Sequence, residues 1–209
     1  MQAFETTETM LIKSICVYCA SGPGKNPAFM DAAKTFGRIL AENGIRLVYG
    51  GGSVGLMGAL AESVLDHGGT VTGVIPDFLV NREHMLLSVQ ERLITRDMHE
   101  RKWVMFERAD AFVALPGGVG TLEELVEQLT WAQLGRHKKP ILALNIARFW
   151  DPLCALLEQM EKLDFIRANL PVTLLVADRV EEILPKLFAA ARSVAEADKE
   201  MARIPAERM

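Results

Sequence analysis

Two acidic side chains stand directly behind a run of glycines in Pro116-Gly117-Gly118-Val119-Gly120-Thr121-Leu122-Glu123-Glu124. Glycine lets backbone approach an anion closely, and the start of a helix offers N–H groups that have no intrahelical partner. A phosphate cradle beside a carboxylate points to phosphate-anchored chemistry rather than to simple nucleotide storage. A plainer reading competes with it. Thr121 and Glu124 have the spacing of a capping box, in which Glu124 would only satisfy a backbone N–H at the helix start.

A second cluster is Asp97-Met98-His99-Glu100-Arg101-Lys102. It places two cations near a helix N-terminus, the unfavourable end for positive charge unless an anion binds there. The alternative is a solvated face, and His99 reads as a local hydrogen-bonding residue. A third cluster, Gly50-Gly51-Gly52-Ser53-Val54-Gly55-Leu56-Met57-Gly58, spends more backbone entropy than one tight turn requires. Close approach of a ligand to Gly51, Gly52, Gly55 and Met57 would explain the excess; so would close packing of the next helix on the sheet. The turn Ala20-Ser21-Gly22-Pro23-Gly24-Lys25 fails both the P-loop and the dinucleotide-binding patterns. It still lies where ligands bind in open sheets, so Ser21 and Gly22 are either pocket lining or a connector.

Metal and thiol chemistry find little support. Cys16 and Cys19 have C-x-x-C spacing but fall in a strand segment, where positions three apart point to opposite faces. The histidines at 67, 84, 99 and 137 are scattered, Cys154 has no histidine near it in sequence, and no G-x-S-x-G elbow occurs. The expectation is no metal and no organic cofactor.

The elements that must position these residues alternate along the chain. Strands are expected at Ser14 to Ala20, Ile45 to Tyr49, Thr70 to Ile75, Glu91 to Thr95, Ala111 to Leu115, Ile141 to Asn145 and Val172 to Ala177. Helices are expected from Asn26-Pro27 to Asn43, Leu56 to His67, Asp97 to Arg108, the glycine turn to Leu134, Asp151 to Leu163 and Val180 to Ala197. The first helix buries Phe29, Ala33, Phe36 and Leu40, and the third is expected to carry Trp103 and Phe106 inward. Pro76 to Val89 reads as irregular or as one short helix, and the polar tail beyond Asp198 is expected to fray. Short apolar strands between helices predict an α/β fold: one Rossmann-like, doubly wound parallel sheet with helices on both faces. No linker or repeat divides the chain, so residues 1–209 are expected to form a single domain with its core at about 14–189.

The chain has 209 residues, half of them apolar, and a net charge of −4. The mild acidity and the lack of a basic stripe argue against a nucleic-acid partner. No run approaches the roughly 18 apolar residues of a spanning helix, and Met1 to Lys13 lacks the core of a signal peptide. Three cysteines without framework spacing suggest a reducing compartment, so a cytoplasmic protein with no membrane partner is expected.

Taken together, the glycine turn at 50–58, Met98-His99-Glu100-Arg101-Lys102 and the glycine turn at 116–124 resemble the LOG ("Lonely Guy") family of cytokinin riboside 5'-monophosphate phosphoribohydrolases, often mislabelled lysine decarboxylases. The likeness covers roughly Ser14 to Ala189. It implies a homodimer whose partner subunit helps to build the pocket, and cleavage of the N-glycosidic bond of an N6-substituted adenosine 5'-monophosphate to free base and ribose 5-phosphate. Under it, Arg101 and Glu124 are the essential pair, and Glu83, Lys102, Gly118, Val119, Gly120, Thr121 and Thr130 contact the nucleotide. The first turn departs from the C-G-S-S of many relatives: Cys19-Ala20-Ser21-Gly22 keeps one hydroxyl, at Ser21, and lacks the other.

The residues can carry that chemistry. Glycine-rich helix starts at 50–58 and 117–121 would anchor the phosphate, whose binding energy orients the sugar. An ionised Glu124 would stabilise the oxocarbenium-like transition state, hold the ribose hydroxyls or orient the water. Arginine holds its proton too firmly to be a general acid, so Arg101 is assigned to the phosphate and to holding Glu124. Glu83 is a candidate base contact, and Met85, Leu86 and Met98 are candidates for lining around an apolar N6 group, or else for core or dimer contacts. Two other readings remain: a broader hydrolase of AMP and other nucleoside 5'-monophosphates, and a nucleotide carrier or sensor without turnover.

Overall fold

In the computed structural model, residues 12–80, 84–167 and 169–201 are described. Strands β1 (Ser14–Tyr18), β2 (Arg46–Tyr49), β3 (Val71–Pro76), β4 (Glu91–Thr95), β5 (Ala111–Ala114), β6 (Ile141–Leu144) and β7 (Leu175–Ala177) form one sheet. Its order is β4-β3-β2-β1-β5-β6-β7, and every pairing is parallel. The chain winds outward from β1 in one direction through β2, β3 and β4, then returns to lay β5 on the other side of β1. That reversal opens a crevice at the carboxyl ends of β1 and β5, the place where such sheets bind ligands.

Helices α1 (Pro27–Glu42), α2 (Gly55–Asp66), α3 (Met98–Glu107), α4 (Val119–Gln133), α5 (Asp151–Lys162) and α6 (Ile183–Met201) cover the sheet. Two apolar layers result. Phe36, Leu40, Leu60 and Leu187 meet Ile15, Val17, Leu47 and Val113 on one face. Met105, Phe106, Leu125, Leu129 and Trp150 meet Cys16, Tyr18, Val48 and Phe112 on the other. Burial on both faces is why the central strands read as unbroken apolar runs rather than as alternating ones. Asn26 caps α1 as its sequence position predicts, accepting a hydrogen bond from the Ala28 N–H at 3.0 Å. Asp110 ties the starts of β1 and β5 together, accepting from the Lys13 and Ser14 amides at 2.8 and 2.9 Å.

The differences from the sequence expectation are local. β1 ends at Tyr18 rather than Ala20, because Ala20 leaves the ladder: its N–H donates to the Pro116 carbonyl at 3.3 Å and its carbonyl accepts from Met57 at 3.2 Å. β7 spans only Leu175–Ala177, and the last helix begins with a 3₁₀ turn at Val180–Glu182 and runs beyond Asp198 to Met201. Pro76 to Val89 holds one short 3₁₀ turn, Asp77–Leu79. Trp103 is not inward: it stays 40% exposed while Phe106 is buried. The inward stripe of α3 is Arg101, Lys102, Met105 and Phe106, so two cations occupy the face that the aromatic pattern suggested for Trp103. Among the described residues no helix is long and apolar enough to cross a membrane.

Candidate functional site

A cleft of about 320 Å³ opens at the reversal of strand order. The loop after β1 supplies Cys19, Ala20, Ser21 and Gly22; Gly50 comes from the end of β2 and Met57 from α2. α3 contributes Arg101 and Met105, and the start of α4 contributes Gly118, Gly120, Thr121 and Glu124.

The capping reading of Glu124 does not hold geometrically. α4 begins at Val119 with Gly118 as its N-cap and no side chain bonded there, so Glu124 lies beyond the cap positions. Its carboxylate instead stands 3.7 Å from Nη1 of Arg101, with both side chains about nine-tenths buried. Arg101 is tethered further: its Nε–H donates to the Val74 carbonyl at 3.2 Å, and Nη1 lies 3.8 Å from Sδ of Met98. A nearly dry ion pair repays its desolvation only with close, well-satisfied geometry. At 3.7 Å this pair is weak evidence for stability, and both residues line the cleft.

α3 is built to hold Arg101 there. Asp97 caps the helix by accepting from the Glu100 N–H at 2.9 Å, and Glu100 reaches back to the Arg96 N–H at 2.7 Å. These backbone hydrogen bonds hold both carboxyls below their usual range. The reciprocal pairing accounts for the acidic residue inside Met98-His99-Glu100-Arg101-Lys102.

The first turn of α4 has amides that no helical carbonyl can reach, and Gly118 and Gly120 have open space where a side chain would begin. An anion can lie against that turn. The first turn of α2 differs. Its Leu56 and Met57 amides already donate to the Gly22 and Ala20 carbonyls, at 3.4 and 3.2 Å. The 50–58 helix start therefore holds the β1 loop in place, and the phosphate cradle expected there is occupied by protein.

Ser21, Met57, Arg101, Gly118, Gly120, Thr121 and Glu124 thus meet around one space. Gly51, Gly52, Gly55, Lys102, Val119 and Thr130 are not among its lining residues. Gly51 has a left-handed φ of 81°, Gly52 pairs with Met85, and a Cβ on Gly55 would meet the Ser21 carbonyl at 2.3 Å. Gly51 thus answers to its left-handed backbone and the Ile75 side chain packed against it, and Gly52 and Gly55 to contacts with neighbouring backbone. Lys102 turns to α4 and donates to Glu123 and Glu127 at 2.6 and 2.8 Å. Burial works against its charge, but the two carboxylates prevail and raise its pKa. Val119 is 83% exposed, and the exposed Thr130 donates to the Val126 carbonyl at 2.8 Å. Glu83 lies outside the described residues.

Apolar lining comes from Met57 and Met105 rather than from the candidates Met85, Leu86 and Met98. Sequence reading placed Gly50 inside the glycine turn without naming it as a site residue, and missed Met105, a core-like methionine with no local signal. Cys16 and Cys19 sit in opposite apolar layers, and burial pushes both thiols far above their usual range. They remain protonated and are not nucleophiles. Among the described residues no group of histidines, cysteines and carboxylates has metal-binding geometry.

Residues 57–187 match the family described as "possible lysine decarboxylase". The chain is 49% identical over 179 residues to a "probable cytokinin riboside 5'-monophosphate phosphoribohydrolase" of Oryza sativa subsp. japonica, covering 86% of this chain and 80% of that one. A cytokinin riboside 5'-monophosphate phosphoribohydrolase of Arabidopsis thaliana is 43% identical over 88% of this chain and 85% of its own length. Among solved structures, the molybdenum cofactor binding protein of Rippkaea orientalis superposes with a TM-score of 0.62 at 22% identity, covering 84% of this chain and 95% of that chain. A molybdenum cofactor carrier protein of Chlamydomonas reinhardtii gives 0.59 at 23%, covering 85% and 96%. At such identity the structural likeness speaks for the shared architecture alone.

Proposed function

The chain belongs to the LOG family, matched under the description "possible lysine decarboxylase", and from that membership we propose that it hydrolyses the N-glycosidic bond of N6-substituted adenosine 5'-monophosphates. The observation that carries the reading is the nearly buried Arg101–Glu124 pair facing a cleft beside the uncapped first turn of α4. The phosphate lies against that turn, near Gly118, Gly120 and Thr121, with Arg101 completing its charge. Water adds to C1′, the electron pair of the C1′–N bond leaves with the base, and the base takes up a proton. The products are free base and ribose 5-phosphate. Glu124 stabilises the positive charge that develops on the ribose, and Arg101 holds the carboxylate in place. A lysine poised for a pyridoxal Schiff base plays no part in this reading: Lys102 is engaged by Glu123 and Glu127.

The working unit is a homodimer in the cytoplasm. Three free cysteines fit a reducing compartment. Val119, Leu122 and Val126 form an exposed apolar stripe on α4, and Thr130 continues it. A partner seated on that stripe would bring the exposed Thr130 toward the neighbouring pocket.

The test is product analysis by liquid chromatography after incubation with N6-isopentenyl-adenosine 5'-monophosphate, AMP and the matching nucleosides, with Glu124→Gln as control. Base released from the monophosphates alone, and lost in the variant, is the expected result. The ratio of the two rates distinguishes the N6-substituted nucleotide from broader use of AMP. Tight nucleotide binding without release would refute hydrolysis and favour a carrier.

A further inference from the structure

Gly50 differs from the glycines that follow it. Its φ lies outside the left-handed region, so its backbone would accept any residue. What forbids a side chain is contact. A Cβ at Gly50 would stand 2.3 Å from Nη2 of Arg101, 3.5 Å from its Cζ and 3.1 Å from Sδ of Met57. At Gly55 and Gly58 the nearest atoms are backbone, at 2.3 and 2.1 Å, so those glycines answer to the chain's own packing. At Gly50 the three nearest atoms all belong to the ends of two flexible side chains, both of which line the cleft.

We infer that Gly50 is a positioning residue for the reaction: its bare backbone at the end of β2 is the seat on which the Arg101 guanidinium lies, facing Glu124. The guanidinium is bounded elsewhere by the Val74 carbonyl, 3.2 Å from Nε, and by Glu124, 3.7 Å from Nη1. A methyl group at position 50 fits the fold once the Arg101 guanidinium shifts, and that shift moves the group that faces Val74 and Glu124. A displacement of about 1 Å at a catalytic group can cost roughly 100-fold in rate. The catalytic consequence rests on the hydrolase reading above; the seat itself does not.

The experiment compares wild type, Gly50→Ala and Arg101→Lys. The Nε–H resonance of Arg101, identified by its loss in Arg101→Lys, reports the guanidinium directly and needs no activity. The expected result for Gly50→Ala is a displaced or broadened Nε–H resonance, together with about a 100-fold fall in kcat/KM on N6-isopentenyl-adenosine 5'-monophosphate. An unmoved resonance overturns the seat. A displaced resonance with kcat/KM within about threefold of wild type overturns the positioning role. If wild type itself releases no base, the hydrolase reading fails, and the resonance alone decides whether Gly50 seats Arg101. Should Gly50→Ala not fold, Gly50→Ala/Arg101→Ala removes the clash: recovery of the folded spectrum supports the seat, and continued unfolding overturns it.

Discussion

Glu124 combines two properties that a capping residue would not need: it is nearly buried, and it is paired at a long 3.7 Å with a cation on a different helix. Exchanging it for glutamine keeps the shape and removes the charge. A carboxylate near a bound phosphate opposes binding, whereas its charge favours the oxocarbenium-like transition state. Glu124→Gln is therefore expected to lower kcat by about 10³-fold or more while KM stays level or falls. A rise in KM with kcat intact would instead make Glu124 a binding residue. Both members of this pair stood out in the sequence, as a carboxylate behind a glycine turn and a cation in the first turn of a helix, but the residues alone left capping and a solvated face open, and the family resemblance singled the two out. Gly50 was not legible as Arg101's seat. The demand for glycine there comes from a side chain on another helix, and a local reading assigns the whole triple-glycine turn one cause.

Element by element, α3 carries the greatest burden, since its first turn must place Arg101 beneath β3 and opposite α4. Asp97 closes that turn at an exposed site, clear of the cleft. Asp97→Ala is expected to lower Tm by about 2–4 °C and to reduce kcat/KM as the Arg101 turn loosens; a lowered Tm with full activity would show that the Val74 and Glu124 contacts hold Arg101 without the cap. The segment after α4 carries a pH dependence. His137 is buried among Phe106 and Phe112; its Nδ1 accepts from the Lys139 N–H at 3.1 Å, which leaves Nε2 to donate to the Gln128 carbonyl at 3.2 Å. Burial chiefly, with Lys139 nearby, lowers its pKa below the ordinary 6.5. The unfolded chain thus takes up a proton that the native ring resists. The contribution of neutral His137 is complete above about pH 6.5 and is lost as pH falls from there through the lower folded value. Thermal melts at pH 7.5 and 5.5 check this: the drop in Tm on acidification is expected to shrink in His137→Gln, and an unchanged drop would assign it to other groups. Neither the ring's burial nor its tautomer was visible from an isolated histidine in sequence. The order of strands and helices was, because alternation of short apolar runs with amphipathic segments leaves few folds open. Strand ends were not: Ala20 leaves β1 for partners at Pro116 and Met57 that are remote in sequence.

At the scale of the whole molecule, the unsettled surface is the outer face of α3 and α4. Trp103, Leu122 and Val126 are each about 40% exposed and Val119 is 83% exposed. On α4 they recur at positions 119, 122 and 126, a helical stripe of the kind that faces a core. The exposure of Trp103 on α3 has the same explanation if the core in question lies between two copies. A stable two-fold interface buries on the order of 800 Å² per partner. If the proposed dimer forms through this stripe, Val126→Arg is expected to give a monomer in light scattering while leaving the circular dichroism spectrum unchanged, since Val126 has no place in either internal layer. If the partner helps to form the pocket, kcat/KM should fall with the dimer fraction and recover at high protein concentration. A variant that is monomeric yet fully active would make each subunit self-sufficient; one that stays dimeric would move the interface to another face. The concentration dependence separates loss of the partner from local damage, because a misplaced side chain within one subunit is not repaired by adding more protein.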